Sequence, residues 1–213
     1  MSKIFLGLTQ YYASDNIRTS AAEALASLIK CAKEAQPGHI AGIQELAKGY
    51  CNNIIEAMDG ETETEVLKNQ AAAIKDIMDE AGENLLQPES VDQFSGKILE
   101  FISQSENRIQ DNNKYQEENA QGEEDEQLDE EDLAVLKEEN KAENELQIAL
   151  AEILGILFKT HKYSCRNLVQ KLITEVLPAI AKDDSKHKNK FLLFILDDMV
   201  EYLGPDFLGP IYP

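Results

Sequence analysis

Apolar residues recur at steps of three and four along most of the chain, and this helical period is the feature that most restricts its fold. One stretch shows it clearly, with apolar residues on one side of a helix: Ile17, Ala21, Ala22, Leu25, Leu28, Ile29 and Ala32. Asp15 is expected to cap this helix, and Gln36-Pro37-Gly38 to end it. No segment sustains the period-two alternation of a half-buried strand. The pattern predicts an all-α chain, with further helices at about residues 39–58, 62–81, 90–118, 140–160, 164–181 and 187–203.

Four of the predicted helices also resemble one another. The set Ala22, Leu25, Leu28, Ile29 is matched at successive shifts of 49, 80 and 42 residues by three further sets: Ala71, Ile74, Ile77, Met78; Ala151, Leu154, Leu157, Phe158; and Leu193, Leu196, Met199, Val200. Any helical protein can produce such matches by chance, but similar breakers follow the first and last sets, at Pro37-Gly38 and Gly204-Pro205. The shifts fit a repeat of about 40 to 47 residues, the length of a HEAT or armadillo unit, with one insertion. We predict a solenoid of about three to four antiparallel helix pairs.

The charge of the chain is concentrated in that insertion. The formal net charge is −20, and residues 111–145 carry fifteen acidic and three basic side chains, or −12 of it. Because the middle of this tract lacks aliphatic residues, residues 112–131 are predicted to form an acidic, flexible insertion within a single array spanning 1–213. Deleting them is expected to leave the melting temperature nearly unchanged. Such a charge disfavours direct nucleic-acid and membrane binding and favours cationic partners.

The sequence offers little for an enzyme. Cys31, Cys51 and Cys165 are not paired at disulfide or zinc spacing, which indicates a reducing, intracellular compartment. His39, His161 and His187 lie at helix ends without partners at catalytic or metal spacing, and no glycine-rich phosphate loop is present. The apolar runs are too short to span a bilayer. We therefore predict no catalytic residue, no metal and no cofactor.

Three stretches resemble a known family. Residues 11–25 resemble the HEAT signature, in which an aspartate in the turn is followed by Val/Ile-Arg and by an Ala-Ala pair, here Asp15, Ile17-Arg18 and Ala21-Ala22. Together with the acidic insertion and with residues 194–201 and their Gly-Pro sequel, this stretch resembles the later HEAT repeats of importin-beta superfamily nuclear transport receptors. Within the superfamily the chain is most similar to the branch of importin five, also called karyopherin beta three.

This resemblance implies a receptor that shuttles between cytoplasm and nucleus. It would bind basic nuclear localisation signals of cargo proteins, release them to Ran–GTP and contact nucleoporins. The uncapped apolar ends of the chain predict a monomeric piece of a longer array, without the amino-terminal repeats that carry the family's principal Ran contact. A HEAT-repeat scaffold or regulatory subunit for other protein partners remains the alternative.

The resemblance also suggests where cargo would bind. In HEAT arrays the second helix of each pair lines the concave face, and here those are the four aligned helices. Their acidic residues form a candidate partner-binding stripe: Glu23, Asp76, Asp79, Glu80, Glu152, Asp197, Asp198 and Glu201. The same carboxylates could instead be a solvated face or form ion pairs between repeats. The acidic insertion has the same two interpretations, as a cargo contact or as a solubilising segment. Asp15 and Arg18 are interpreted as structural contacts between repeats.

Overall fold

The computed structural model describes residues 2–120, 128–180 and 186–209, and within these ranges the chain is helical, without a strand. Helices α1, α7 and α8 are short, and the others have 18 to 33 residues. The α-helices are α1 (Ser2–Leu8), α2 (Asp15–Ala35), α3 (Ile40–Asp59), α4 (Thr64–Ala81), α5 (Pro88–Ala120), α6 (Glu130–His161), α7 (Arg166–Lys171), α8 (Leu177–Ile180) and α9 (Lys186–Leu208). None of the described helices is long and apolar enough to cross a bilayer. The all-α prediction is confirmed.

Helices α2, α4, α6 and α9 pack side by side in one layer, and each is also packed against the helix that precedes it in its pair. Contacts show that the layer is parallel, because Lys33 near the end of α2 reaches Glu80 near the end of α4, and Lys159 near the end of α6 reaches Asp79. Helix α3 runs the other way, since Gln44 near its start bonds Glu83 just after α4. Alternating antiparallel helices in two layers are the arrangement of a HEAT solenoid, and the predicted fold is confirmed.

The repeated apolar sets form the core of this array. In α2, α4 and α6 the aligned residues are almost all fully buried; Leu25, Ile74 and Leu154, for example, have no exposed surface. In α9 the match is weaker, because Leu193 and Val200 are 64% and 65% exposed while Phe191, Ile195 and Met199 are buried. Helix α9 packs on α6 along one side only, and no described helix covers the other side.

Arg18 joins the first two helix pairs. Its side chain is buried. Nη2 donates to Oε1 of Glu61, which lies just before α4, and to Oδ1 of Asp15. Nη1 donates to the Tyr11 carbonyl. The contact between repeats predicted for Arg18 is thus confirmed, whereas Asp15 pairs with Arg18 inside α2. The predicted cap is wrong by one residue: Ser14 occupies the N-cap position and Asp15 is the first residue of α2, where its charge still favours the helix dipole.

The acidic insertion consists largely of helix in its described part. Residues 112–120 continue α5, residues 130 and 131 begin α6, and residues 121–127 lie outside the described range. Asn112 Nδ2 donates to Asn140 Oδ1 (3.0 Å), and Asn140 Nδ2 donates to Asn113 Oδ1 (2.9 Å), so the two helices run antiparallel beyond the body of the array. We call residues 109–120 and 130–142 the helical hairpin. The helix predicted at 90–118 agrees with the first of these segments, and the flexibility predicted for residues 112–131 stays a prediction.

The fourth helix pair is less regular than the others. The helix predicted at 164–181 is divided into a 3₁₀ turn (Lys162–Cys165), α7, a π-helical turn (Leu172–Val176) and α8. Helix α9 kinks at Gly204, which has a φ of 72° and is followed by Pro205. Glycine adopts this backbone conformation without the strain that a side chain would cause. The Gly-Pro pair that served as a breaker in the sequence thus bends α9 where the pattern predicted an end.

Candidate functional site

The exposed side of the α2–α4–α6–α9 layer, here called the acidic face, carries all eight residues of the predicted stripe. Its first part is a groove of about 450 Å³ between α2 and α4. Four stripe residues line this groove: Glu23, Asp76, Asp79 and Glu80. Its other lining residues are mostly small, since Ala26, Ser27, Ala72 and Ala73 face the space between the two helices. Small side chains keep the helices from filling the groove, and they leave the carboxylates on its rim.

Two of these four carboxylates are paired with lysines of other helices. Glu80 Oε2 lies 3.0 Å from Lys33 Nζ of α2, and Asp79 Oδ1 lies 2.6 Å from Lys159 Nζ of α6. Both pairs are partly exposed and are worth about 0 to 1 kcal/mol each. They serve as contacts between repeats, the alternative that the sequence left open for the whole stripe.

Glu23 and Asp76 remain available to a partner. Asp76 lies 3.2 Å from the ammonium of its own neighbour, Lys75, while Glu23 forms no ion pair with any residue that the structure describes. Both side chains are exposed. Lys30 is the one basic residue in the described lining of the groove, against four carboxylates. The lining itself is therefore mainly acidic, although Lys33, Lys75 and Lys159 around it pair with three of its four carboxylates.

The second part of the acidic face is the junction between α6 and α9. Glu152 extends from α6, and Asp197, Asp198 and Glu201 extend from α9. Burial, together with the charges of Asp197, Glu201 and Glu152, raises the pKa of Asp198 to about 6. The structure thus divides the predicted stripe into two groups of four, one on α2 and α4 and the other on α6 and α9.

The sequence left ion pairs open as one alternative for the acidic face, and the repeat contained a signal for which residues form them. The shifts that align the helices also align Lys30, Asp79, Lys159 and Glu201, a row that alternates in charge from helix to helix. The hydrogen bond to Asp79 and the nearby charge of Glu201 both raise the pKa of Lys159. A row of alternating charges along parallel helices indicates contacts between repeats. Asp79 and Glu201 therefore help to hold neighbouring helices together through Lys159.

His161, Cys51 and Cys165 are buried in structural surroundings, whereas His39 and Cys31 are exposed. His161 is buried; its Nε2 accepts a hydrogen bond from the Leu86 N–H (2.9 Å), and burial lowers its pKa to about 4. Burial raises the pKa of the thiols of Cys51 and Cys165 to about 12, which leaves both protonated. Within the described ranges, no three His, Cys, Asp or Glu side chains are grouped to hold a metal ion. The side chain of His187 lies outside the description.

Comparison with known proteins agrees with this architecture. A solved structure, the karyopherin Kap121p bound to the SUMO protease Ulp1p, matches 96% of this chain with a TM-score of 0.68 and 16% sequence identity. At that identity the likeness shows the fold alone. The chain spans 17% of the length of that karyopherin. A family model described as Importin repeat 6 matches residues 66–182, more than half of the chain and the part from α4 to beyond α8. The chain belongs to the importin repeat 6 family, and it is a HEAT-repeat array of the importin-beta superfamily.

Proposed function

We propose that this array works within a nuclear transport receptor and binds lysine-rich segments of cargo proteins across α2 and α4. The observation that carries the proposal is the α2–α4 groove, with two exposed carboxylates, Glu23 and Asp76, on a rim above small residues. Membership of a family of transport receptors, which are not enzymes, supports it. Release of the cargo by Ran–GTP and shuttling between cytoplasm and nucleus are parts of the same proposal.

The groove suits the chemistry of lysine. The four-carbon stem of a lysine side chain can lie along Ala26, Ala72 and Ala73, while its ammonium reaches the carboxylates of Glu23 and Asp76. Each charge-assisted hydrogen bond made there is worth about 1.5 to 3 kcal/mol. Of the two α2 lysines beside the groove, Lys33 forms an ion pair with Glu80 of α4, and Lys30 forms none with the described residues. A cargo lysine would thus complete a charge pattern that the array begins.

A direct test measures binding of a lysine-rich signal peptide to the chain and to the double variant Glu23→Gln/Asp76→Asn. We expect about tenfold weaker binding for the variant, equal to about 1.4 kcal/mol, with an unchanged melting temperature. The matched control is Glu45→Gln/Glu56→Gln, which removes the same charge from exposed positions on α3, in the other layer. Equal losses in both variants would mean that only net charge attracts the peptide, and the groove would then have no special role.

Ran–GTP separates this proposal from the alternative of a HEAT-repeat scaffold. Within the intact receptor, Ran–GTP should displace the peptide, whereas a scaffold would keep its partner. Binding that depends on Glu23 and Asp76 but does not respond to Ran–GTP would favour the scaffold and would still assign the groove.

The other layer contains a groove that fits the nucleoporins implied by the family. It lies between α3 and α5 and measures about 230 Å³. Ile55, Leu86 and Phe94 supply its apolar surface, and Asn52 and Ser90 are among its polar lining residues. We assign this groove to phenylalanine side chains of nucleoporin repeats, because an aromatic ring gains most from burial against such a surface. The two partner classes would then occupy opposite layers of the array.

A further inference from the structure

The three junctions in the α2–α4–α6–α9 layer are held together differently. Lys33–Glu80 joins α2 to α4, while Lys159–Asp79 and Lys68–Glu145 join α4 to α6. Between α6 and α9 the described residues form no ion pair. There, Glu152 of α6 faces a helix that presents Asp197, Asp198 and Glu201. Around Asp198 the third junction therefore brings like charges together, whereas the ion pairs of the first two junctions join opposite charges.

Asp198 lies in the middle of this junction. Its carboxyl rests on the backbone of α6 at Gly155, so closely that a Cβ atom at Gly155 would lie 2.1 Å from Oδ2 and 2.8 Å from Cγ. No hydrogen-bond donor or cation of the described chain lies within bonding distance of that carboxyl. An ionised carboxylate in contact with a helix and without a partner costs free energy, whereas a neutral carboxyl packs there at little cost.

The other ionisable groups around the junction do not supply the missing cation. On α6, Lys159 is drawn to Asp79 and also lies near Glu201 and Tyr202 of α9. Lys190 of α9 lies near Glu145 and Phe194, toward the start of α9. In the 3₁₀ turn that also packs on α9, Tyr163 contacts Phe207, and the Cys165 thiol donates to the Leu157 carbonyl. Lys162 of the same turn is exposed, and α8 has no ionisable side chain.

We propose that the α6–α9 junction is a charge-controlled joint, which closes when the Asp198 carboxyl is neutral and loosens when that carboxyl is ionised. Proton uptake is the simplest way to neutralise it. Burial and the neighbouring carboxylates raise the pKa of Asp198 to about 6 in the closed joint, against about 3.9 in water. The closed joint thus binds the proton more tightly than the open one. Its stability falls as the pH rises from about 4 to about 6 and is low at neutral pH.

Hydrogen exchange of the α9 backbone amides in the full chain tests the joint. Protection factors, corrected for intrinsic exchange, should be roughly tenfold higher at pH 5 than at pH 7.5, because pH 5 lies about one unit below the pKa of Asp198 in the closed joint. In the Asp198→Asn variant, α9 should keep the higher protection at both pH 5 and pH 7.5. Asp197→Asn removes the same charge one residue away and should retain the pH dependence, because Asp197 is exposed.

Two outcomes would overturn the proposal. One is equal protection of the wild-type α9 at both pH values. The other is an Asp198→Asn variant whose α9 keeps the wild-type pH dependence. Far-UV circular dichroism first establishes that both variants are folded. An NMR titration of the Asp198 carboxyl carbon in the unaltered chain gives an independent measurement, and a midpoint below about pH 4.5 would also contradict the joint, because the carboxyl would then feel no cost of ionisation.

Discussion

Glu143 is the most consequential single residue outside the acidic face. It is buried, although it lies in the acidic tract of residues 111–145. Its carboxylate accepts hydrogen bonds from Arg108 Nε (2.7 Å), Arg108 Nη2 (2.9 Å) and Thr64 Oγ1 (2.6 Å). Burial alone would raise the pKa of Glu143, but the bonds from Arg108 and Thr64 outweigh it, and the pKa lies below the ordinary value. This carboxylate joins α4, α5 and α6 at the base of the helical hairpin.

We expect Glu143→Gln to lower the free energy of unfolding by about 1 to 3 kcal/mol at pH 7, because one charged partner of Arg108 is lost from a buried position. The effect should depend on pH. A lowered pKa in the folded chain means that the ionised carboxylate stabilises the fold above the ordinary glutamate pKa of about 4.3, and that this contribution is lost as the pH falls below that value. Urea unfolding at pH 7 and at pH 3.5 measures both.

Glu145→Gln is the matched control for that prediction, since Glu145 lies two residues further along α6, is exposed and is paired with Lys68. It should change stability little at either pH. If the two variants have equal stability at pH 7, Glu143 is not the anchor of the hairpin. Such a role could not be derived from the sequence, because Glu143 is one of fifteen acidic residues between 111 and 145 and only the tertiary contacts distinguish it.

Among the secondary-structure elements, the helical hairpin shows where sequence patterns were least informative. Low hydrophobicity predicted a flexible insertion, yet α5 extends 33 residues, roughly 50 Å, and α6 extends 32. Asparagine side chains replace apolar contacts between the two arms, with Asn112, Asn113 and Asn140 bonded to one another. Charge and polarity therefore predicted that this segment leaves the core, but not that two helices could support each other outside it.

The hairpin should be dispensable for the stability of the array. Replacing residues 114–138 by a short Gly-Ser linker shortens the two arms by nearly equal lengths, because Asn112 pairs with Asn140. The replacement retains the buried Arg108–Glu143 contact. We expect helix content to fall in proportion to the residues removed and the melting temperature to change by no more than about 3 °C, measured by circular dichroism. The cut at 112–131 suggested by composition would divide the arms unequally. A drop in melting temperature as large as that of Arg108→Ala would show that the hairpin packs on the body.

Viewed as a whole molecule, the array followed from the sequence in its main lines. The 49-residue and 80-residue shifts identified α2, α4 and α6 as equivalent helices. The structure agrees, because the aligned apolar residues of these three helices are almost all buried by neighbouring helices. The shift to α9 placed Leu193 and Val200 among buried residues, and they are exposed. A pattern of apolar residues predicts which face of a helix can be buried, but not whether a neighbour covers it.

The arrangement in two layers makes a last prediction about the molecule as a whole, namely that its two grooves act independently. The lining of the α2–α4 groove is mainly acidic, while the α3–α5 groove is lined by three apolar residues, three neutral polar residues and two lysines. The double variant Glu23→Gln/Asp76→Asn should bind a lysine-rich peptide about tenfold more weakly and should bind a Phe-Gly repeat peptide with unchanged affinity. Asn52→Trp, which fills the α3–α5 groove from an exposed position, should have the opposite effects. Fluorescence anisotropy with both peptides and both variants gives four affinities. Sites on separate layers without shared residues should be additive in the combined variant; a change in both affinities from either variant alone would mean that the layers shift together.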